Sequence, residues 1–410
     1  MQRRFRFGAF PFTAAPGYGS AKEPAKRWKR RRFAMIIRIA LRNLLHDRVR
    51  LAVTLTGVVF AVVLIAVQGG LFVGFTRATS CVIDNTEAEI WVASRGVRNF
   101  DVTHPLPDQK FHQVLGIPGV AKAERFIVRF ANWKKPAGGQ ESIEVVGFDP
   151  ASGLGRPWAL TAGSQNALRL PDAVAVDELY LTKLGVTGLG DRAEINDRRA
   201  RIVALTRGIR SFTTSPYIFT SFENGLKYAG FARGQSTYLL VRPVAGLSTE
   251  ALRDAIRAGV PDVDVFTREE FSGKTQYYWM FTTGAGMALL IAASLGLVVG
   301  GVVVAQTLYA TTVDHLPEFG TLRAMGAPGG YIHRIIVAQA VAAALVGYTF
   351  GIAISYFLVS LAERGGASIL LPPGMAVGLF FLTVTMCVTA GLVSIRKVTH
   401  IDPAMVFRGA

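Results

Sequence analysis

The sequence predicts a membrane protein with four transmembrane helices, one and then three, and a large α+β extracytoplasmic domain inserted between the first and the second. Three observations predict this. Of the 410 residues 50% are hydrophobic, a share above that of ordinary soluble chains, and mean hydropathy is +0.34. Four runs carry no charge: Leu51 to Thr76, Thr275 to Val313, Ile335 to Ala362 and Gly365 to Ile395. Each exceeds the ~20 apolar residues that a spanning helix needs. Finally, the net charge of +17 is lopsided, because residues 1–50 hold 14 basic side chains against 2 acidic ones.

That basic block sets the orientation. "KRWKRRR" at residues 26–32, then Arg38, Arg42, Arg48 and Arg50, precede the first apolar run, and Arg396 and Lys397 follow the last. Basic residues beside a span stay on the cytoplasmic side. Both termini are therefore expected in the cytoplasm of a multi-pass inner-membrane protein. The block reads as an anchor to anionic membrane lipids. Nucleic-acid binding is not expected, since no recognition motif accompanies the charge.

The elements follow in chain order. Residues 1–34 lack the apolar core of a signal peptide and show no periodicity; they read as a disordered basic extension, or as sequence upstream of a start at Met35. Residues 35–50 form an interfacial amphipathic helix on the cytoplasmic side, with Ile36, Ile37, Ala40 and Leu44 on one face and Arg38, Arg42 and Asn43 off it. Residues 51–76 are the first transmembrane helix.

Residues 77–274 form the extracytoplasmic α+β domain. "AEIWVAS", "RFIVRFANW", "SIEVVGF", "ARIVALT", "PYIFTS" and "TYLLVRPV" read as strands. Helices are expected near Asp177 to Leu184 and from Thr249 to Ala258, the latter behind a capping Ser or Thr. Residues 275–313 hold a stalk and the second transmembrane helix: as one helix the run would reach roughly 58 Å, too long for a ~30 Å core. Tyr277, Tyr278 and Trp279 at its start suit an interface. Residues 314–330 form a cytoplasmic helix and loop, 331–362 the third transmembrane helix, 363–374 a short external loop, 375–395 the fourth transmembrane helix, and 396–410 a cytoplasmic tail. Pro372 and Pro373 set the start of the fourth span.

Several chemistries are disfavoured. "SGKT" at Ser272 to Thr275 lacks the glycine that a phosphate loop needs at position 268, which is Arg. No HExxH or GxSxG string occurs. Cys81 and Cys387 are far apart in the chain and predict neither a disulfide nor a metal site. The spans contain no Asp, Glu, Lys or Arg, which argues against an ion-coupled pump. Gln68, Gln306 and Gln339 are their polar exceptions, read as interhelical hydrogen bonds. Gly296, Gly300 and Gly301 have small-residue spacing for close helix packing, and Gly69 and Gly70 sit in the first span.

The charged string "DHLPEFGTLRAMGAP", Asp314 to Pro328, stands out between apolar runs. Pro317 suits a first helical turn. Glu318 and Arg323 suit the positive and negative helix ends, and Gly326 suits the residue just past the end. Gly320 inside a helix costs ~1 kcal/mol relative to Ala, which suggests close approach by another backbone or side chain. The segment reads as a docking helix for a cytoplasmic partner.

"EFGTLRAMGAP" resembles the motif of the MacB/FtsX/LolC-type ABC transporter permeases. "IALRNLLHDRVRLAVTLTGVVFAV" is similar to the start of that superfamily, and "VVGFDP" and "KVTHIDPAMVFRG" resemble its DevC-like members. The resemblance runs from Met35 to the C-terminus. It implies a non-catalytic subunit, present as a homodimer, whose partner ABC ATPase binds the ATP and Mg; no cofactor is expected on this chain. It implies that Glu318, Phe319, Gly320, Leu322, Arg323, Ala324 and Gly326 couple to that ATPase. It further implies export of a lipid, glycolipid or amphipathic compound with a periplasmic membrane-fusion adaptor and an outer-membrane channel. Two other outputs occur in the superfamily: FtsX-like signalling to a cell-wall hydrolase, and LolC-like lipoprotein release.

Overall fold

A computed structural model describes residues 48–213, 215–314, 330–364 and 368–399. Helix α1 (Arg48–Thr79) opens the described chain. Its 32 residues reach roughly 48 Å at 1.5 Å per residue, so α1 extends past a ~30 Å hydrocarbon core. Arg48 to Arg50, expected at the end of the interfacial helix, belong to α1 instead; nothing in "DRVRLAV" breaks the helix before the apolar run begins. The rest of the interfacial helix and residues 1–34 lie outside the described residues.

Beyond α1 a single turn, α2 (Cys81–Asp84), leads into the α/β domain. Its elements are β1 (Ile90–Ser94), β2 (Leu106–Pro107), α3 (Asp108–Leu115), β3 (Val120–Lys134), β4 (Gln140–Phe148), β5 (Leu160–Gly163), β6 (Ala173–Asp177), α4 (Leu181–Leu184), β7 (Arg192–Ile195), β8 (Arg198–Thr206), β9 (Tyr217–Ser221), α5 (Phe222–Ala229), β10 (Gln235–Ser236), β11 (Tyr238–Pro243), α6 (Thr249–Gly259) and β12 (Val263–Thr267).

Strand β3 organises the domain. Its first half pairs with β11 and its second half with β4. The β11 side continues to β1 and β12, antiparallel throughout. On the β4 side the pairings close a ring, β3–β4–β9–β6–β8–β7 and back to β3. Closure leaves no free edge between these strands. The β7–β8 hairpin turns on Asn196 and Asp197, at φ 45° and 61°, where short polar side chains tolerate the left-handed region best. Trp133, Ile143, Val145, Ile195, Ile202 and Ile218 pack together in the ring lobe. A second core gathers Trp91, Phe100, Phe126, Tyr238 and Phe271; their rings meet mostly edge to face, an arrangement worth about 0.5–1.5 kcal/mol per pair beyond burial. Helices α3 and α6 cover the other face of β1 and β11 through Val114, Leu252 and Ile256.

Each of the strand runs read from the sequence is present. The helix expected near Asp177 to Leu184 is present in short form, beginning at Glu178. Asp177 ends β6, and its carboxylate accepts from the Leu179 and Ile209 amides and the Thr206 hydroxyl. A 3-10 turn and the one-turn α4 follow, closed by Gly185 at φ 68°. Asp177 thus ends the strand and caps the helical turns that follow.

The chain leaves through α7 (Arg268–Tyr277), capped reciprocally by Thr267 and Glu270. "SGKT" lies inside this helix, with Ser272 and Thr275 buried. A π turn, Tyr278–Thr282, and Gly284 at φ 81° separate α7 from α8 (Ala285–Asp314). The second apolar run is thus broken into stalk and span, and the left-handed residue is the one that lacks a Cβ. Helices α9 (Gly330–Arg364) and α10 (Pro373–Thr399) complete four spans. Their shared core includes Val58, Ala61, Val62, Val304, Leu308 and Ala344.

Candidate functional site

The spans meet through glycines. A Cβ added at Gly300 would stand 2.3 Å from the Ala61 Cβ, and one at Gly296 2.8 Å from Leu64 Cδ2. Gly57 returns the contact from α1, with Val303 Cγ1 at 2.4 Å. These distances leave no room for a methyl group: side chains of each helix seat on glycines of the other, which lets α1 and α8 approach closely. Gly301 differs: a Cβ there meets only Met386 Cγ, at 3.7 Å. Helix α9 repeats the device on another face of α1, where Gly347 and Gly351 lie against Val58 and Val62 at 2.5 and 2.7 Å. The spacing "GYTFG" carries that signal in the sequence, but the reading above passed it over, as it did Gly57.

Hydroxyls in the spans satisfy themselves. Thr54, Thr307, Thr312, Ser355 and Thr383 each donate to the carbonyl one helical turn back, at 2.6 to 2.9 Å. In lipid a polar group with no partner is costly, and this local bond removes the cost without reaching a neighbouring helix. Gln339 is 2% exposed and its Nε2 has no acceptor among the described residues. The bundle interior offers no line of hydrophilic groups among the described residues.

At the cytoplasmic ends of the pair, Arg50 of α1 forms an ion pair with Asp314 of α8. Glu318, Phe319, Gly320, Leu322, Arg323, Ala324 and Gly326, the expected coupling residues, lie outside the described residues. Asp314 places the segment that contains them directly after the α1–α8 contact.

At the other end of the same pair, stalk and domain lock together. Trp279 of the π turn donates its indole N–H to Asp101 Oδ2 at 2.8 Å. Its ring packs on Phe212, with centroids 4.5 Å apart, and Phe212 meets Phe75 of α1 edge to face. Gln276 donates to Ser80 Oγ at 2.8 Å, tying α7 to the end of α1. The loop that carries Asp101 is held in turn: Asn99 Oδ1 accepts from the Asp101 and Val102 amides, and the Tyr238 hydroxyl donates to the Phe100 carbonyl.

This joint is acidic inside. Asp101 is 5% exposed and Glu144 of β4 fully buried. Asp101 Oδ1 and both Glu144 oxygens have no hydrogen-bond partner among the described residues. Burial raises the Asp101 carboxyl from 3.8 to about 7, against the Trp279 bond, which lowers it. Burial, then the nearby Asp101, holds the Glu144 carboxyl well above its usual range. Desolvation thus favours the neutral form of both acids, and the nearby Asp101 adds to the effect at Glu144. Among the described residues no cluster of His, Cys, Asp and Glu has the geometry of a metal centre.

The chain's counterparts among known proteins share this plan of a helix, an α/β domain and three further helices. Residues 51–258 match the MacB-like periplasmic core domain, and residues 276–403 match the FtsX-like permease C-terminal family.

The chain belongs to the MacB/FtsX-type ABC transporter permeases.

An uncharacterized ABC transporter permease of Mycobacterium bovis is 25% identical over 88% of this chain and 96% of its own. The macrolide export ATP-binding/permease protein MacB of Escherichia coli is 22% identical over 90% of this chain but only 60% of its own. A crystal structure of the periplasmic region of MacB from Actinobacillus actinomycetemcomitans is 10% identical, covers 46% of this chain and 94% of that one, and superposes with a TM-score of 0.35. As a permease of this type, with four apolar helices, the protein is a multi-pass inner-membrane protein, and its family implies a partner ATPase.

Proposed function

We propose that this permease transmits ATP-driven motion from a separate cytoplasmic ATPase to its outer α/β domain. The movement drives export of a lipid, glycolipid or amphipathic substrate, together with a membrane-fusion adaptor and an outer-membrane channel. One observation carries the reading: α1 and α8 form a glycine-seamed pair joined at one end by Arg50 and Asp314, and at the other end the stalk is fixed to the domain by the Asp101–Trp279 joint. Force applied at the segment 314–330 has a packed route to the domain. The self-satisfied hydroxyls support a substrate path that avoids the bundle interior. Two permease copies would each dock one ATPase, which would bind the ATP and Mg, and this chain would hold no catalytic group of its own. Both termini would face the cytoplasm. Glu318, Phe319, Gly320, Leu322, Arg323, Ala324 and Gly326 would contact the ATPase.

Copurification from native membranes in mild detergent, followed by mass spectrometry, tests the reading. Recovery of an ABC ATPase and a membrane-fusion adaptor is the expected result. An ATPase with a cell-wall hydrolase would replace export with signalling, and the absence of any ATPase would overturn the coupling role.

A further inference from the structure

A cleft of about 470 Å³ opens at the domain-side ends of the spans, bounded by Arg77 of α1, Tyr356 and Val359 of α9, and the 369–373 segment before α10. Its floor is pre-formed. Gly70 and Gly74 let that segment lie against α1: the Leu370 amide donates to the Gly70 carbonyl at 3.0 Å, and the Ser368 hydroxyl to the Gly74 carbonyl at 3.3 Å. A Cβ at Gly74 would stand 1.9 Å from the Ser368 carbonyl oxygen, so only glycine permits this seat. The walls are largely apolar, from Val359, Ile369, Leu371 and Pro373.

Arg77 is the only charged side chain lining the cleft among the described residues. It is exposed and makes no ion pair or hydrogen bond with another described residue. Outside the cleft α9 presents Phe357 and Leu361, 68% and 56% exposed, the surface that lipid tails cover. A guanidinium at the bilayer edge, above an apolar trough, is complementary to a phosphate joined to a hydrocarbon chain. Among the described residues no carboxylate lines the cleft to receive a headgroup amine, so a net-negative headgroup suits it better than a zwitterionic one. The volume falls within the range of small-molecule sites.

We propose that this cleft binds an anionic phospholipid from the leaflet facing the α/β domain, with its phosphate on Arg77 and its first chain carbons against Val359, Ile369 and Pro373. The site requires no ATPase and stands independently of the export reading.

The test uses the full-length protein in mild detergent, titrated with phosphatidylglycerol or phosphatidylcholine and followed by native mass spectrometry. The wild type should retain phosphatidylglycerol roughly tenfold better, the scale of one charge-assisted contact. Arg77→Gln should abolish that preference, Arg77→Lys should keep part of it, and Val359→Trp, which fills the trough, should reduce retention of both lipids. Equal retention by the wild type, or an unchanged preference in Arg77→Gln, would overturn the proposal. Displacement of the lipid by millimolar inorganic phosphate would also overturn it, by showing a soluble-anion site. Unchanged thermal midpoints for the variants would separate lost binding from lost fold; should Arg77→Gln unfold, Arg77→Lys and Val359→Trp carry the test.

Discussion

Gly300 and Gly301 are neighbours in α8 with opposite tolerances. Gly300 faces Ala61 with no space for a Cβ, whereas Gly301 faces Met386 at ordinary contact distance. Gly300→Val should therefore lower detergent-solubilised stability by about 1–3 kcal/mol, the cost of overpacking, while Gly301→Ala should cost nothing or gain slightly from helix propensity. Thermal unfolding of both variants checks the contrast; equal effects would mean that α8 is rotated from the position described. Asp101 makes a second prediction at this scale. Its carboxyl is raised in the fold to about 7, so between its ordinary range and about 7 the native state holds a proton that the unfolded chain releases. Stability is then full at low pH and is lost as pH rises through that window, by a few kcal/mol at most. Glu144 shifts in the same direction. The wild type should thus melt at lower temperature at pH 8 than at pH 5. Asp101→Asn should flatten part of the slope while its amide oxygen still accepts from Trp279. A slope that the variant leaves unchanged would place the titration elsewhere.

The elements most legible in the sequence were the spans and the strands with strong alternation. Charge-free length alone marks Leu51 to Thr76, because lipid leaves the backbone no alternative to a helix. "SIEVVGF" and "TYLLVRPV" announce themselves by β-branched and aromatic content. What the sequence hid was mostly long-range. The parallel pairing of β4 with β9 and the return of β7 to β3 join segments that no local pattern links. β6, "AVAVD", was missed beside a helix-like stretch, because a short apolar run fits either state until its partners are known. The joint escaped for the same reason: Asp101 and Trp279 are 178 residues apart. Trp279→Phe keeps most of the packing on Phe212 and removes only the hydrogen bond. Under the proposed function it should weaken coupling more than stability, seen as ATP turnover by the copurified complex that no longer responds to substrate. A parallel loss of folded protein would reduce Trp279 to a packing residue. The surface pair Arg50–Asp314, with side chains 37% and 52% exposed, should by contrast contribute under about 1 kcal/mol to stability.

Across the whole molecule, α1 is the member that the other parts lean on. Helix α8 seats on its Gly57–Ala61–Leu64 side, α9 on Val58 and Val62, and the segment before α10 on Gly70 and Gly74. If α1 and α8 move as one body during transport, a cross-link between them should be harmless. Gly57→Cys with Val303→Cys, oxidised in the membrane, should leave ATP turnover of the copurified complex unchanged; loss of turnover on oxidation, restored by reduction, would show that the two helices slide or part. The proposed coupling residues between Glu318 and Gly326 belong to this scale too. Arg323→Glu should weaken recovery of the ATPase while leaving the four spans inserted, and full recovery would remove the docking role.

The seating of three neighbours on one helix makes α1 behave like a camshaft. Its contacts with Val58 and Val62 lie several turns from its contacts at Gly70 and Gly74, and each residue between them turns the helix by about 100°. Adding one residue near Ile65 would keep both sets of contacts chemically intact yet swing them out of phase, so that the loop finds side chains where it needs bare backbone. Four added residues bring the angle nearly back and lengthen the shaft by only ~6 Å. Tolerance of such insertions should therefore rise and fall with the helical repeat rather than decline steadily with length, because timing around the axis is what this helix supplies.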